Sequence, residues 1–114
     1  MATPPTSEPD SEQSRPILRS LRAAQQRDRS PIRVVIIDDH LVAEMQRAVL
    51  EQAGSIEVVG LASDGLAGLA LIEHGLPDVV ILELCLRGMD GPEVVQRVRV
   101  SFPQVAVLLV TAYD

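Results

Sequence analysis

The sequence predicts a single α/β domain, a doubly wound parallel sheet with helices on both faces. Four continuous apolar runs rich in β-branched residues recur along the chain, as expected for strands that are covered on both faces. Stretches with helical spacing separate these runs, at the length that a parallel crossover requires. The chain has 114 residues, 46% hydrophobic and 23% charged, which is the size and composition of one globular domain.

The predicted elements alternate from residue 32 onward, giving about four strands and three helices. The apolar runs predict strands at Val34–Ile37, Ile56–Leu61, Val79–Leu82 and Val105–Val110. Helical spacing, with residues that favour helix starts and stops, predicts three helices. The first is Leu41–Ala53, which has Val42, Met45, Val49 and Ala53 on one side and is followed by Gly54. The second is Leu66–His74, which follows the N-cap Asp64. The third opens with Pro92, has Val95, Val98 and Phe102 on one stripe, and is closed by Pro103.

The N-terminal part differs in composition from the rest. Five of the eight prolines lie within the first 31 residues and all seven glycines lie after residue 53, so we predict a disordered Pro/Arg-rich leader at 1–31 and a domain at 32–114. Five arginines lie between Arg15 and Arg29, around a helical stripe of Ile17, Leu21 and Ala24. This stretch is interpreted either as a basic amphipathic arm that docks on a partner or an anionic surface, or as a solvated, partly helical leader.

Composition and charge exclude several classes of function. The net charge is −6 and the isoelectric point is near 4.8, so this segment is not expected to bind nucleic acid or anionic lipid directly. A single cysteine, Cys85, excludes an internal disulfide framework and a cysteine-based zinc site. No apolar run approaches the roughly 20 residues that span a bilayer. We therefore expect a soluble protein of the reducing cytoplasm.

Acidic and hydroxyl side chains follow three of the predicted strands. Asp38 and Asp39 come after the first strand, Glu83 after the third and Thr111 after the fourth. The carboxyl ends of parallel strands share one rim of the sheet, where ligands bind, and adjacent carboxylates favour a hard divalent ion such as Mg²⁺. Taken singly, an acid pair is also typical of a solvated turn, and a threonine is often only a strand residue. Cys85, next to this rim, is expected to be buried, and His40 to cap the first helix or face solvent.

The order of these motifs resembles the receiver domain of two-component response regulators, especially those joined to helix-turn-helix DNA-binding domains. The resemblance covers Ile32 to Asp114 and rests on five tracts: IRVVIIDDH, IEVVGLASDG, PDVVILEL, GMDG and FPQVAVLLVTAYD. It implies a flavodoxin-like (CheY-like) sheet with strand order 2-1-3-4-5, of which this sequence holds about four strands and three helices.

The resemblance also implies roles for particular residues. Asp38 and Asp39 match the acid pair that holds Mg²⁺, the backbone carbonyl of Cys85 matches a further metal ligand, and Thr111 matches the switch hydroxyl. Glu83 is expected among the metal ligands as well, and it stands where the family has the aspartate that accepts a phosphoryl group from a phosphohistidine.

Three departures from the family change the expected chemistry. Glu83 is one methylene longer than aspartate, the chain contains no lysine where relatives use one to hold the phosphoryl group, and Arg87 replaces the usual proline. We expect a pseudo-receiver of phosphorelay signal transduction that is not phosphorylated, is not an enzyme, and acts by contact with a sensor histidine kinase or another response regulator. Whether Mg²⁺ binding is kept stays open.

Several alternatives remain open at this point. The sequence stops three residues after Thr111, which leaves the fourth strand as an unprotected edge. The chain is then either a fragment of a DNA-binding transcription regulator cut after its fourth strand, or a protein that completes itself by forming a homodimer, by domain swapping or with a partner. An aspartate-nucleophile phosphatase is a weaker alternative, because His40 occupies its second aspartate position. A decaying gene product without function is a further one.

Overall fold

The computed structural model describes residues 16–21, 30–86 and 89–111. Four strands form one parallel sheet in the order β2-β1-β3-β4, which confirms the predicted fold class. The strands are β1 (Ile32–Ile37), β2 (Ile56–Ala62), β3 (Val79–Glu83) and β4 (Ala106–Val110). All four therefore end at the same rim.

Three helices connect the strands: α1 (His40–Glu51), α2 (Gly65–Gly75) and α3 (Gly91–Ser101). Each begins after an aspartate whose carboxylate accepts a hydrogen bond from the backbone N–H three residues later, which satisfies one of the unpaired donors of the first turn. The three caps are Asp39, Asp64 and Asp90, at 3.0, 2.9 and 3.1 Å. Asp64 was predicted as a cap, whereas the sequence analysis did not identify Asp39 or Asp90. His40 is not the cap: it is the first residue of α1 and is exposed.

The two faces of the sheet carry separate apolar clusters, because alternate residues of a strand point to opposite faces. We call the face covered by α2 and α3 the packed face, and the face that bears α1 the open face. The buried residues of the packed face are Val35, Ile37, Ala62, Ile72, Val80, Leu82, Val94, Val98 and Val105. Those of the open face are Ile32, Val34, Ile36, Ala43 and Val79.

Helix α1 packs through a different side from the stripe that the sequence analysis grouped. Met45 and Val49, on that stripe, are exposed, whereas Ala43 is buried and Leu50 is half-buried. The small side chain of Ala43 lets the helix approach the sheet, and this decides the orientation although the other side is more apolar. In α3 the buried residues are Val94 and Val98; Val95 and Phe102, from the predicted stripe, are half-buried.

Eight residues of the leader, 16–21 and 30–31, belong to the described part of the chain. Residues 16–21 are helical, and Leu21 packs against the open-face cluster. The rest of the leader up to residue 29, including Arg15, Ala24 and Arg29, lies outside the described residues, and the boundary at Pro31 stays a prediction. Among the residues that the structure describes, no helix has the length and apolar character needed to cross a membrane.

Candidate functional site

The carboxyl ends of β1, β3 and β4 border one open cleft of about 670 Å³. Its lining includes all five residues that the sequence analysis singled out: Asp38, Asp39, Glu83, Cys85 and Thr111. The parallel sheet produces this convergence, since three strands that run in one direction end at one rim. The structure thus places these residues together, while their individual roles stay predictions.

Asp38 is the one buried polar or charged side chain among the described residues, with 5% of its surface exposed. Its Oδ1 accepts a hydrogen bond from the backbone N–H of Asp39 at 2.6 Å. Burial raises the pKa of the Asp38 carboxyl above its ordinary value, the Asp39 hydrogen bond opposes this increase, and the negative charges of Glu83 and Asp39 add to it. The site therefore holds its negative charge at a free-energy penalty, which a bound cation would relieve.

Asp39 is exposed, and its side chain also has a structural role. Its Oδ1 accepts the N–H of Val42 and so caps α1. The helix start and the acidic rim are thereby fixed to each other, because the same side chain belongs to both.

Glu83 is the last residue of β3, and its carboxylate turns back toward its own loop. Its Oε2 accepts a hydrogen bond from the backbone N–H of Cys85 at 3.1 Å. The side chain of Cys85 is exposed, so the expected burial of this cysteine is wrong: the residue lies in the loop after β3, from which Leu86 and not Cys85 packs against the packed-face cluster. Arg87, which was expected to alter this loop, lies outside the described residues.

Polar residues that the sequence analysis did not assign also line the cleft. Gln46 and Ser63 are two of these. The Gln46 Oε1 atom is buried and has no hydrogen-bond partner among the described residues. The signal in the sequence was a polar residue three positions after the buried Ala43, on the inward side of α1. Sequence reasoning missed it because it followed the apolar stripe on the other side.

The donor set of the cleft matches a magnesium ion in its chemistry. Two carboxylates, Asp38 and Asp39, and a backbone carbonyl at Cys85 are hard oxygen donors, and Mg²⁺ is usually held by one or two carboxylates with several waters. No group of three or more His, Cys, Asp or Glu side chains in the described ranges is arranged to hold a metal. The described side chains alone therefore do not form a metal site, and the magnesium assignment stays a prediction.

Comparison with known proteins finds a matching family model and several relatives of this chain. A family model described as the response regulator receiver domain matches residues 34–114. The probable transcriptional regulatory protein NarL of Mycobacterium tuberculosis is 45% identical over 84 residues, which is 73% of this chain and 39% of that protein. The transcriptional regulatory protein LiaR of Bacillus subtilis is 42% identical over 80 residues, which is 68% of this chain and 38% of LiaR.

Solved structures agree with the sequence matches. The signal receiver domain of the putative response regulator NarL from M. tuberculosis superposes with a TM-score of 0.68 at 42% identity, covering 75% of this chain and 69% of that one. Protein-glutamate methylesterases also match, among them one from Koribacter versatilis that is 40% identical over 85 residues, or 74% of this chain and 23% of the enzyme. The chain thus spans well under half the length of the curated relatives it matches.

Proposed function

Because this chain belongs to the response regulator receiver domain family, we propose that it is a receiver-like signalling module that works by protein contact and does not accept a phosphoryl group. The observation that carries the proposal is Glu83, which occupies the end of β3 in the acidic cleft, where the family has its acceptor aspartate.

The geometry of Glu83 opposes phosphoryl transfer in two ways. Its carboxylate is one methylene farther from the backbone than that of aspartate, and in-line attack is sensitive to placement, with a 1 Å error costing on the order of 10²-fold. Its Oε2 is also engaged by the N–H of Cys85. This hydrogen bond directs one carboxylate oxygen toward the loop, so Glu83 could attack only through Oε1 or after giving up the bond.

The rest of the cleft is proposed to keep its inherited roles. Asp38, Asp39 and the carbonyl of Cys85 would hold Mg²⁺, which when bound neutralises charge at the rim. Burial raises the pKa of Asp38, and the negative charge of Glu83, beside these ligands, adds to that increase. Thr111 follows β4 on the opposite side of the cleft, in the place of the switch hydroxyl. In the proposed state the cleft is negatively charged and can bind a metal ion, but it does not accept a phosphoryl group.

A contact surface lies next to this cleft on α1. Leu41, Met45 and Val49 follow one another at four-residue spacing and are 68%, 61% and 65% exposed, so they form one apolar ridge along the helix. Exposed apolar patches on soluble domains mark binding sites. His40 and Val42, from the first turn of the same helix, line the cleft. We assign the ridge to a sensor histidine kinase or to another response regulator, met in the cytoplasm.

Incubation with acetyl phosphate and Mg²⁺, followed by intact mass measurement, tests the central point. The native chain is expected to gain no phosphoryl group, because its acceptor oxygen is misplaced. Glu83→Asp is the matched comparison, since it restores the acceptor length and leaves every other residue in place; far-UV circular dichroism checks that both proteins fold. A stoichiometric adduct on Glu83 of the native chain would refute the proposal.

A second candidate function is the input domain of a DNA-binding transcription regulator. It is favoured by the names of NarL and LiaR, which are transcriptional regulatory proteins, and by the share of those proteins that this chain spans. The DNA contact would then come from outside residues 1–114. Reading the gene beyond Asp114 tests this candidate, which predicts an in-frame fifth strand that carries a lysine and a helix-turn-helix segment after it.

A further inference from the structure

The described part of the leader has one side turned toward the protein. Within residues 16–21, Ile17, Ser20 and Leu21 are half-buried, whereas Leu18 and Arg19 are exposed. The half-buried residues are separated by three and four positions, so they lie on one side of the helix. An isolated helix of this length is marginal in water, which means that the surface beneath it contributes to its formation.

That surface belongs to the open face of the sheet and not to the acidic cleft. Leu21 packs against the cluster that contains Val34 and Val79, and the same cluster includes the half-buried Ile81 and Ala106. No residue of the leader lines the cleft among those that the structure describes. The leader contact is therefore separate from the site of the proposed function.

The open face has an apolar strip that α1 does not cover. Helix α1 lies chiefly over β1 and β2. Beside it, β3 and β4 present Ile81, Ala106 and Leu108, of which Leu108 is 38% exposed. Leu21 of the leader also packs on this cluster. Among the described residues of the cluster, it is the one that belongs neither to the sheet nor to α1.

We propose that residues 16–21 are an intramolecular cover for this strip, seated through Leu21. The short helix then lies over the side chains of β3 and β4 that α1 leaves bare, and Leu21 is its contact with the open-face cluster. These six residues are therefore not a purely solvated tail.

The first experiment compares Leu21→Ser with Leu18→Ser in the full chain. Both remove a leucine from the same six residues, but only Leu21 faces the cluster. Methyl resonances of Val79, Ile81 and Ala106 are expected to shift in the Leu21 variant and to stay at their native positions in the Leu18 variant. Unchanged resonances in both variants, or the same shifts in both, would overturn the proposal.

A second experiment does not depend on how well the Leu21 variant folds. A nitroxide label on Pro16→Cys, in a Cys85→Ser background, is expected to broaden the open-face methyls of Val34, Val79 and Ile81 more than the packed-face methyls of Ile72 and Val94. Equal broadening on both faces would contradict the seated cover. Broadening that arises only between labelled and separately isotope-labelled chains would place the leader on a second copy and would also overturn it. Neither readout involves Glu83 or phosphorylation, so a failure here leaves the proposed function untouched.

Discussion

The packed and open faces of the sheet come from the same strands but are stabilised differently. Residues of β1 and β3 alternate between them, so both faces receive similar apolar side chains. The packed face has two helices across it and nine buried residues in its cluster, whereas the cluster of the open face has five, beside α1. Exposure also depends on the strand: Leu82, on the inner strand β3, has no exposed surface, while Leu108 on the open face and Leu109 on the packed face of the edge strand β4 are 38% and 46% exposed.

The difference shows that strand sequence alone does not decide what is core. A parallel strand is apolar on both sides because helices normally cover both, but coverage is supplied by other parts of the chain. On the packed face α2 comes so close that a Cβ on Gly68 would lie 2.7 Å from Cγ1 of Ile37. On the open face α1 lies chiefly over β1 and β2, and Leu21 of the leader packs against the same cluster. Stability should therefore be greatest where helices cover the inner strands, and the exposed apolar surface of the sheet lies at β4.

The largest effect is expected when a leucine is truncated on the packed face. Leu82→Ala should lower the free energy of unfolding by about 2–5 kcal/mol, because the site is fully enclosed and a cavity remains. Leu108→Ala removes the same atoms from the open face and should lower it by less than about 1 kcal/mol. Urea unfolding of both variants measures the pair. Equal losses would mean that the open face is covered as completely as the packed one.

A smaller effect is expected where the packed face meets the cleft. A Cβ on Gly91, the first residue of α3, would lie 2.6 Å from the carbonyl oxygen of Leu84 and 2.8 Å from its Cα, both backbone atoms that cannot turn aside. Gly91→Ala should therefore destabilise the domain by about 1–3 kcal/mol and displace the loop that carries Cys85.

Gly75→Ala is the matched control for this substitution. At Gly75 an added Cβ would meet only a guanidinium nitrogen of Arg33, at 3.8 Å, so urea unfolding should give native-like stability. If the two variants lost equal stability, the close approach of α3 to the loop after β3 would not be what holds that loop in place.

The sequence was sufficient for the sheet and for bringing the acidic residues and the threonine to one cleft, but not for Gln46 or Ser63. Continuous β-branched runs predicted all four strands, and because parallel strands end at a common rim, Asp38, Glu83 and Thr111 could be expected at one cleft before any contact was known. Both inferences rest on local pattern and on a topology that has few alternatives.

Orientation and coverage could not be predicted in the same way. Helix α1 has apolar residues on two sides, and the small Ala43, not the larger Met45, faces the sheet; this depends on how close the sheet lies. Exposure of Cys85 depends on where the loop after β3 turns, and the packing of Leu21 depends on an apolar cluster that forms only in the folded sheet. These are tertiary properties, which override local preference.

The smallest expected change in stability concerns Asp38, which follows β1 at the rim of the sheet, and it is a gain instead of a loss. Burial raises the pKa of Asp38 in the folded protein, so above the ordinary aspartate pKa of about 4 the folded state binds more protons than the unfolded state. Stability from this group is then lost as the pH rises through the raised folded pKa. Asp38→Asn keeps an oxygen for the N–H of Asp39 and removes the buried charge, so it should stabilise the domain at neutral pH.

Urea unfolding from pH 4 to pH 7, in the presence of a chelator, measures this difference. The gain of the asparagine variant over the native chain should be small near pH 4 and increase toward neutrality, because only the native side chain carries a charge there. Asp39→Asn is the comparison, since Asp39 is exposed and serves chiefly as a helix cap. A gain that is independent of pH, or a loss at pH 7, would show that the folded protein stabilises the charged form of Asp38 instead of disfavouring it by burial.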